Sequence, residues 1–288
     1  MRSVVTPLPT GVFPSTGDRV TRLGLGGEGV LRTFGRDAEA QAMIHAALDE
    51  GITYCESARA YSGSEAYYGR ALASRRADVF LATKAHDRTK AGARAMLEQS
   101  LRALQTTHID LWQFHDVRDD WEVAALEDPG GAYAAFVEAK ERGDVRAIGI
   151  TGHHDPRVLR AALERVQFDA VLLPINPAEG ALPDGFERSV VPAARARGMA
   201  VIGMKVFARG LLFDPRAGGF TPDDAMAYAL SADIDVVVVG CDDAEQVREN
   251  GRAARAARAL PAPARAGLER RAAPVARQLA YYRASSAA

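Results

Sequence analysis

Four polar side chains in the first half of the chain have the residue types needed for acid–base chemistry on a substrate oxygen. They are Glu56, Tyr61, Lys84 and His115. A tyrosine with a pKa near 10 exchanges protons poorly at neutral pH, unless a nearby ammonium group stabilises the phenolate and lowers that pKa. A carboxylate can fix the position of the ammonium group, and a histidine can orient a carbonyl or share the proton. The four residues therefore predict one site of proton transfer.

Lysine is rare in this chain, and its positions are informative for that reason. Only four lysines are present, and two of them, Lys84 and Lys205, come at the ends of strand-like runs. A lysine in such a place could form a Schiff base, neutralise a phosphate or lower the pKa of a neighbouring acid. The third use suits Lys84 because Tyr61 precedes it in a loop expected to face the same site.

The elements that must position these side chains follow a regular alternation. Short apolar runs are each followed by a longer Ala- and Arg-rich stretch of helical period. The eight predicted strands cover residues 20–25, 52–55, 79–83, 109–114, 146–150, 169–174, 200–204 and 235–239. Eight such units predict an α/β protein, a (β/α)8 TIM barrel, in preference to a doubly wound open sheet.

The predicted barrel forms a single domain with a short segment at each end. Residues 1–19 are turn-rich and are predicted to form a hairpin or cap that closes the bottom of the barrel. Residues 20–258 form the barrel itself, and residues 259–288 give a Pro-broken linker and a helix that packs on it. Because barrel enzymes carry their reactive groups at the C-terminal ends of the strands, residues at those ends are the candidate site residues.

Composition limits the classes of partner. With 48% hydrophobic and 25% charged residues, the 288-residue chain can bury a full core. A formal net charge of -1 provides no overall field that would attract nucleic acid or an acidic membrane surface. No apolar run reaches the roughly 20 residues needed to span a bilayer. We therefore expect a cytoplasmic protein with a small-molecule substrate and no nucleic-acid or membrane partner, while the oligomeric state stays open.

The stretch LGLGGEG, residues 23–29, matches the G-x-G-x-x-G pattern of dinucleotide-binding turns. That pattern has a physical meaning only where a strand leads directly through the glycines into a helix. Here the next helical pattern begins only near Asp37. The match therefore does not predict a Rossmann fold, although Gly26 and Gly27 end the first predicted strand and would let the backbone approach a ligand.

Several longer segments together resemble the aldo-keto reductase family. The resemblance runs from about residue 20 to residue 255 in the family's order and spacing, through the segments GITYCESARAYSGSEAYYG, VFLATK, HIDLWQFHDV, GDVRAIGITG, GMAVIGMKVFARGLL and VVVVGCDDAEQVREN. It implies a barrel that binds NADP(H) or NAD(H) without a Rossmann fold. It also implies hydride transfer between nicotinamide and a carbonyl or alcohol carbon of an aldehyde, ketone or aldose/lactol.

The same resemblance implies a role for each residue of the proton-transfer site. Tyr61 matches the proton donor, Lys84 the residue that lowers its pKa, and His115 the histidine beside it. Glu56 stands where the family usually has aspartate, so its longer side chain must adjust to pair with Lys84. The segment Gly203-Met204-Lys205 is similar to that of a sugar-dehydrogenase-like subgroup, in which Lys205 would face the diphosphate of the cofactor.

Around the nicotinamide the chain departs from the family pattern. Thr151-Gly152 replaces a Ser-Asn pair, Leu172 replaces a glutamine, and Met204 replaces a stacking aromatic. We expect Thr151 and Asn176 to supply the remaining polar groups there. The resemblance places Gly240, Gln246, Glu249 and Asn250 at the adenosine end of the cofactor.

The choice between NADPH and NADH stays open at this point. Where NADPH-dependent relatives commonly place a basic or hydroxyl residue, this chain has Asp242 and Asp243. Carboxylates repel a 2′-phosphate and accept a hydrogen bond from a ribose hydroxyl. As an alternative, both aspartates could simply cap the following helix.

Three further residues are weighed on their own. Trp121, in the loop after His115, is predicted to line the substrate pocket, with packing against its own loop as the alternative. His153 and His154 are adjacent, as in some metal sites, but no third ligand has suitable spacing, so no metal site is predicted.

Two other functions remain as alternatives to an oxidoreductase. A weakly catalytic or non-catalytic protein that binds the dinucleotide as a sensor or partner is motivated by Glu56 and the altered nicotinamide surroundings. A Schiff-base barrel that uses Lys84 or Lys205 would leave Tyr61 and the adenosine-type segment without a role.

Overall fold

Eight parallel strands close into a barrel in the computed structural model, which describes residues 6–283. Each strand pairs with its sequence neighbours, and the last strand pairs with the first. The ten strands are β1 (Thr10–Val12), β2 (Arg19–Thr21), β3 (Leu23–Gly29), β4 (Tyr54–Glu56), β5 (Phe80–Ala85), β6 (Ile109–Phe114), β7 (Val145–Thr151), β8 (Ala170–Pro174), β9 (Ala200–Met204) and β10 (Val236–Cys241). Strands β3 to β10 form the barrel, which confirms the predicted (β/α)8 fold.

Helices surround the barrel and return the chain from the end of one strand to the start of the next. Within residues 6–283 the α-helices are α1 (Asp37–Asp49), α2 (Ser64–Leu72), α3 (Lys90–Ala103), α4 (Asp120–Ala124), α5 (Ala132–Arg142), α6 (Pro156–Arg165), α7 (Pro177–Ala181), α8 (Phe186–Ala196), α9 (Pro222–Leu230), α10 (Ala244–Ala256), α11 (Ala262–Ala272) and α12 (Ala276–Leu279). No helix in that range is long and apolar enough to cross a membrane.

The core has two layers because alternate strand residues point into the barrel and out toward the helices. In β6, Trp112 points outward, and its ring stacks on Phe136 of α5 with the centroids 3.6 Å apart. The interior is filled instead by residues such as Tyr54, Phe80 and Leu111. The side chains of opposite parity, among them Gln113 of β6, therefore face the interior, where the site lies.

An antiparallel hairpin covers the N-terminal end of the barrel. It is formed by β1 and β2, which pair from Thr10 with Thr21 to Val12 with Arg19. Phe13 between them is completely buried, and its ring centroid lies 4.5 Å from that of Phe80, the first residue of β5. Residues 1–5 of the predicted N-terminal segment and residues 284–288 of the predicted C-terminal segment lie outside the described residues.

The first barrel strand differs from the prediction. The sequence predicted one strand over residues 20–25, whereas the chain leaves the hairpin at Thr21 and forms β3 from Leu23 to Gly29. The glycines favour a turn in the sequence, but in the structure they belong to the strand. At Gly29 a side chain is excluded because the backbone of β10 lies too close. A Cβ at Gly29 would lie 2.1 Å from the carbonyl oxygen of Cys241, and the φ of 69° also favours glycine.

Candidate active site

A cavity of about 1380 Å³ opens at the C-terminal ends of the barrel strands. Its volume exceeds that of most small-ligand pockets, so it can hold a dinucleotide together with a small substrate. The predicted site residues that line it are Gly26, Gly27, Glu56, Tyr61, Lys84, His115, Trp121, Thr151, Met204, Lys205, Gly240, Asp242, Gln246, Glu249 and Asn250. Two residues considered as ligand contacts, Asn176 and Asp243, are not part of this wall.

Lys84 and Glu56 form a buried ion pair in the wall of the cavity. The Nζ atom of Lys84 donates a hydrogen bond of 2.7 Å to Oε1 of Glu56 and one of 2.9 Å to the carbonyl oxygen of Ser57. The amide of Gln113 lies 3.3 Å from the second carboxylate oxygen. Both side chains are almost fully buried, at 1% and 4% exposed. Glutamate in place of the usual aspartate is therefore compatible with the ion pair.

The ion pair keeps Lys84 charged despite its burial. Burial alone would lower the pKa of the Lys84 ammonium, but attraction to Glu56, together with their hydrogen bond, raises it above its usual value. A buried charge is tolerated only where it is paired in this way. Lys84 therefore presents a fixed positive charge to its neighbours.

Tyr61 is held beside that charge by a loop fastened to β5. The backbone N–H groups of Ser57 and Arg59 donate to carbonyls of β5, and the N–H of Tyr61 closes a turn onto Ala58 at 2.9 Å. The Nζ atom of Lys84 lies 4.8 Å from the centroid of the Tyr61 ring. The ammonium and the phenol thus occupy the same part of the cavity wall.

The net pKa shift of Tyr61 is opposite to the predicted one. Burial raises the pKa of the Tyr61 hydroxyl, and this effect outweighs the lowering by Lys84. Glu28 and Glu56 raise the pKa further, while Arg32 lowers it. The sequence identified Lys84 as the group that favours the phenolate, but it gave no measure of the burial. Tyr61 is accordingly protonated at neutral pH.

His115 completes this group of residues. Its ring meets the Tyr61 ring edge-on, with the centroids 5.5 Å apart and the planes at 84°. Burial lowers the pKa of His115 well below its usual value, and the positive charge of Lys84 lowers it further. The imidazole is therefore neutral at pH 7. Neutral imidazole has one nitrogen that donates and one that accepts a hydrogen bond.

We expect stability to fall at mildly acid pH because two histidines of the cavity wall are neutral when folded. Burial, with the charge of Lys205, lowers the pKa of His153 to about 4, and the pKa of His115 is lowered too. Unfolded, both regain a pKa near 6.5 and bind protons that the folded state does not. As the pH falls below about 6.5, each of these two histidines lowers the free energy of unfolding by up to about 1.4 kcal/mol per pH unit.

Urea unfolding at about pH 7.5 and about pH 5.5 measures this effect. A His153→Gln variant should show a shallower dependence than the unmodified chain, because one of the two groups is gone. Equal stability at both pH values would contradict the neutral state of these side chains.

Asn176 is not among the residues that line the cavity, and its contact with the cofactor stays a prediction. Its side-chain oxygen accepts the N–H of Glu179 and so caps α7. Its amide nitrogen donates to the carbonyl oxygen of Lys205 and to the hydroxyl of Tyr282, at 3.0 and 3.1 Å. These bonds use the buried amide, so in this structure Asn176 positions Lys205 and the C-terminal segment.

Lys205 differs from Lys84 in having no carboxylate partner. Among the ion pairs of residues 6–283 its Nζ atom takes part in none. Burial lowers the pKa of the Lys205 ammonium, and attraction to Glu28 opposes that effect. The ammonium lies 5.2 Å from the ring centroid of Tyr282. An unpaired cation in the wall of a large cavity is suited to bind an anionic group.

The description of the matching family model is "Aldo/keto reductase family", and the match covers residues 22–225. This is well over half of the chain and includes Glu56, Tyr61, Lys84 and His115. The chain belongs to the aldo/keto reductase family. That result confirms the predicted family and enzyme class, an oxidoreductase, and with it the cofactor class, NADP(H) or NAD(H).

Relatives and solved structures agree with the assignment. L-galactose dehydrogenase of Arabidopsis thaliana is 26% identical, over 85% of this chain and 88% of that protein. Pyridoxal 4-dehydrogenase of Microbacterium luteolum is 27% identical, over 70% of this chain and 72% of that protein. The holo form of an aldo-keto reductase from Bacillus halodurans superposes with a TM-score of 0.75 at 25% identity, over 92% of this chain and 96% of that one. A Klebsiella pneumoniae aldo-keto reductase in complex with NADPH has the same fold, with a TM-score of 0.76 at 20% identity, over 94% and 96% of the two chains.

At the far end of the cavity of this reductase, two adjacent aspartates have different surroundings. The carboxylate of Asp243 accepts the N–H of Gln246 at 2.8 Å and caps α10. Asp242 lines the cavity, and its backbone N–H donates to the side-chain oxygen of Gln246 at 2.9 Å. The capping alternative therefore holds for Asp243, while the side chain of Asp242 is exposed and available to a ligand.

Trp121 lies in the short helix α4 at the rim of the reductase cavity. Its side chain is 61% exposed, which is unusual for so large an apolar group. It lines the cavity, as predicted for a residue near the substrate. An exposed aromatic side chain at the mouth can cover an apolar part of a bound molecule.

The sequence reasoning missed several residues in or behind the wall of the reductase cavity. Gln113 contacts Glu56 from behind the wall, and its strand parity, the same as that of His115, would have predicted that it faces the interior. Tyr281 and Tyr282 line the mouth, although they lie far along the chain from every barrel strand. The C-terminal segment is held there by Arg283, whose guanidinium bonds both carboxylate oxygens of Glu179 at 2.8 and 2.7 Å. No local pattern reveals that long-range ion pair.

Proposed function

We propose that this reductase transfers hydride between a nicotinamide dinucleotide and the carbonyl or alcohol carbon of a small molecule, with Tyr61 as the proton donor and acceptor. The observation that supports this most directly is the grouping of Tyr61 with the buried Glu56–Lys84 pair and His115 in the wall of one cavity. The substrate classes are aldehydes, ketones and the aldose/lactol pair.

Each of these residues has a separate task in the proposed reaction. Tyr61 is protonated and can give its proton to a carbonyl oxygen. As negative charge develops on Tyr61, the fixed charge of Lys84 stabilises it, and Glu56 holds Lys84 in the charged state. Neutral His115 donates a hydrogen bond to the same carbonyl oxygen and so positions it. In alcohol oxidation the proton moves back to Tyr61.

The residues on the cavity wall fit the dinucleotide. When bound, the nicotinamide ring supplies or accepts the hydride. Lys205 is proposed to bind the diphosphate because it lines the cavity and its ammonium has no carboxylate partner within residues 6–283. Gly26 and Gly240 also line this wall and are proposed to contact the ligand through their backbone. The remaining proposed contacts are Gly27, Thr151, Met204, Gln246, Glu249 and Asn250.

We propose sugar-like or aromatic aldehydes and alcohols as the first substrates to assay. The names of two relatives, L-galactose dehydrogenase and pyridoxal 4-dehydrogenase, refer to such compounds. The Gly203-Met204-Lys205 segment supports the sugar-dehydrogenase-like subgroup in the same way. Trp121 at the rim is proposed to contact this substrate.

The test is a turnover assay in both directions with NADH, NADPH and their oxidised forms. A panel of aldoses, aldehydes, ketones and alcohols is followed by absorbance of the reduced nicotinamide, and cofactor binding is followed by fluorescence titration. Tight cofactor binding without turnover on the whole panel would favour the non-catalytic sensor instead. The pairing of Glu56 with Lys84 removes one of the two reasons for that alternative.

We further propose that NADH is the preferred cofactor. The wall beside the start of α10 presents the carboxylates of Asp242 and Glu249 and the neutral amide of Gln246. A 2′-phosphate placed there would be repelled, whereas a ribose hydroxyl could donate a hydrogen bond. Neutralising the nearest carboxylate should therefore help NADPH more than NADH.

An Asp242→Asn variant is expected to bind NADPH about three- to tenfold more tightly, with little change for NADH. The reason is that the variant removes a negative charge that repels the 2′-phosphate. The matched control is Asp243→Asn, which neutralises the adjacent carboxylate but keeps a side chain that can cap α10. Fluorescence titrations with both cofactors measure the change. Equal tightening of NADPH by both variants would show that general charge, not the position of Asp242, sets the preference.

A further inference from the structure

Two loops bring an aspartate and two histidines together at the cavity wall. Asp116 follows β6, and His153 and His154 follow β7. The ligand-type atoms of the three side chains all lie within 4.8 Å of one another. The Nε2 atoms of His153 and His154 are 3.0 and 3.6 Å from the two carboxylate oxygens of Asp116. The sequence did not predict this group because Asp116 is far from the histidines along the chain.

Two buried atoms of this group make no hydrogen bond of ordinary geometry. They are Oδ1 of Asp116 and Nε2 of His154, and this holds within residues 6–283 even though Nε2 of His153 lies 3.0 Å from that Oδ1. Buried polar atoms are nearly always satisfied, so an orphaned pair that converges on one point requires an explanation. A bound cation would satisfy the carboxylate oxygen and the imidazole nitrogen together.

The surroundings hold the side chain of His153 in a ligand-like orientation and fix the backbone of Asp116. The second ring nitrogen of His153, Nδ1, lies 3.3 Å from the carbonyl oxygen of Tyr282, an arrangement that leaves Nε2 free to bind. The backbone N–H of Asp116 donates to Oγ1 of Thr151 at 2.7 Å. This bond fixes the loop after β6 against the strand that carries the histidines.

We propose that Asp116, His153 and His154 form a binding site for one divalent transition-metal ion, with Zn²⁺ as the reference ion. Two imidazoles and one carboxylate favour such ions over Mg²⁺ and Ca²⁺, which prefer sets of oxygen ligands. Three protein ligands leave at least one coordination position for water or an oxygen of a substrate. All three residues line the cavity, so the ion would lie in its wall.

The positive charges of Lys205 and Arg118 both oppose the ion, and that of Arg118 makes the proposal easier to test. The guanidinium of Arg118 bonds Oδ2 of Asp116 at 2.8 and 2.6 Å through Nε and its terminal nitrogen. Arg118 is otherwise exposed, at 56%. It competes for the carboxylate charge, so its removal should strengthen cation binding. General damage to the fold would have the reverse effect.

The experiment titrates Zn²⁺ into the full chain by calorimetry after treatment with a chelator, and repeats it with Co²⁺ followed by visible absorption. We expect one ion per chain. His154→Ala and Asp116→Asn should each weaken binding about 100-fold or more, since even the loss of an outer-shell partner weakens metal binding 10- to 100-fold. The matched control is His86→Ala, which removes a cavity histidine outside the group and should leave affinity unchanged.

Arg118→Ala provides the reverse test and is expected to tighten Zn²⁺ binding about three- to tenfold. Circular dichroism verifies that each variant is folded. No saturable binding by the unmodified chain, or binding that the two ligand variants leave unchanged, would overturn the proposal. The assay involves no turnover, so its outcome is independent of the proposed hydride transfer.

Discussion

Replacing Tyr61 by phenylalanine is expected to lower kcat/KM by about 10²- to 10⁴-fold, the range that a positioned acid or base contributes. The variant removes one hydroxyl and keeps the ring that packs beside Lys84 and His115. Cofactor affinity should therefore be nearly unchanged, while the proton that must reach the carbonyl oxygen has lost its source. Steady-state kinetics and a cofactor titration on the same preparation separate the two effects.

The control for this prediction is Tyr281→Phe, which removes a hydroxyl from another tyrosine of the cavity wall. Tyr281 is 39% exposed, whereas the Lys84–Glu56 ion pair is buried. We expect a much smaller loss for this variant. Full turnover by the Tyr61→Phe protein would exclude Tyr61 as the proton donor, whatever the effect at Tyr281.

The raised pKa of Tyr61 illustrates which properties of the site the sequence could predict. A sequence can show that Lys84 and Tyr61 converge, because both lie where barrel strands end. It does not contain the degree of burial, which depends on loops and on the C-terminal segment. Burial reverses the net direction of the shift. The proximity of Lys84 to Tyr61 was thus predictable from strand position, whereas the burial of Tyr61 was not.

The same distinction explains the other differences between sequence and structure. Alternation of apolar runs and helical stretches was sufficient to predict eight strands. The predicted start of β3 was wrong because Val20 and Thr21 belong to the hairpin strand β2. Its predicted end was too early because glycine weakens the local strand signal, while Gly29 is required by contact with β10. Asn176 was placed at the cavity because it follows β8, but its neighbours along α7 and the C-terminal segment bond its amide. Long-range contacts decide such cases.

The Lys84–Glu56 pair provides the second large effect, this time on stability. Lys84→Met leaves the carboxylate of Glu56 buried without its cation. Removal of one partner of a buried ion pair typically costs about 3–5 kcal/mol of unfolding free energy. The variant should also lose most activity, because no positive charge remains to stabilise negative charge on Tyr61. Urea unfolding and steady-state kinetics measure the two consequences.

A double variant distinguishes the structural role of the pair from its catalytic role. Lys84→Met combined with Glu56→Gln removes both charges and leaves a neutral amide that can still hydrogen-bond. We expect it to recover at least half of the lost unfolding free energy while activity stays low, because burial penalises an unpaired charge far more than a neutral amide. If the single variant were as stable as the original chain, the ion pair could not be buried as described. If the double variant recovered turnover, the charge of Lys84 would not be what stabilises negative charge on Tyr61.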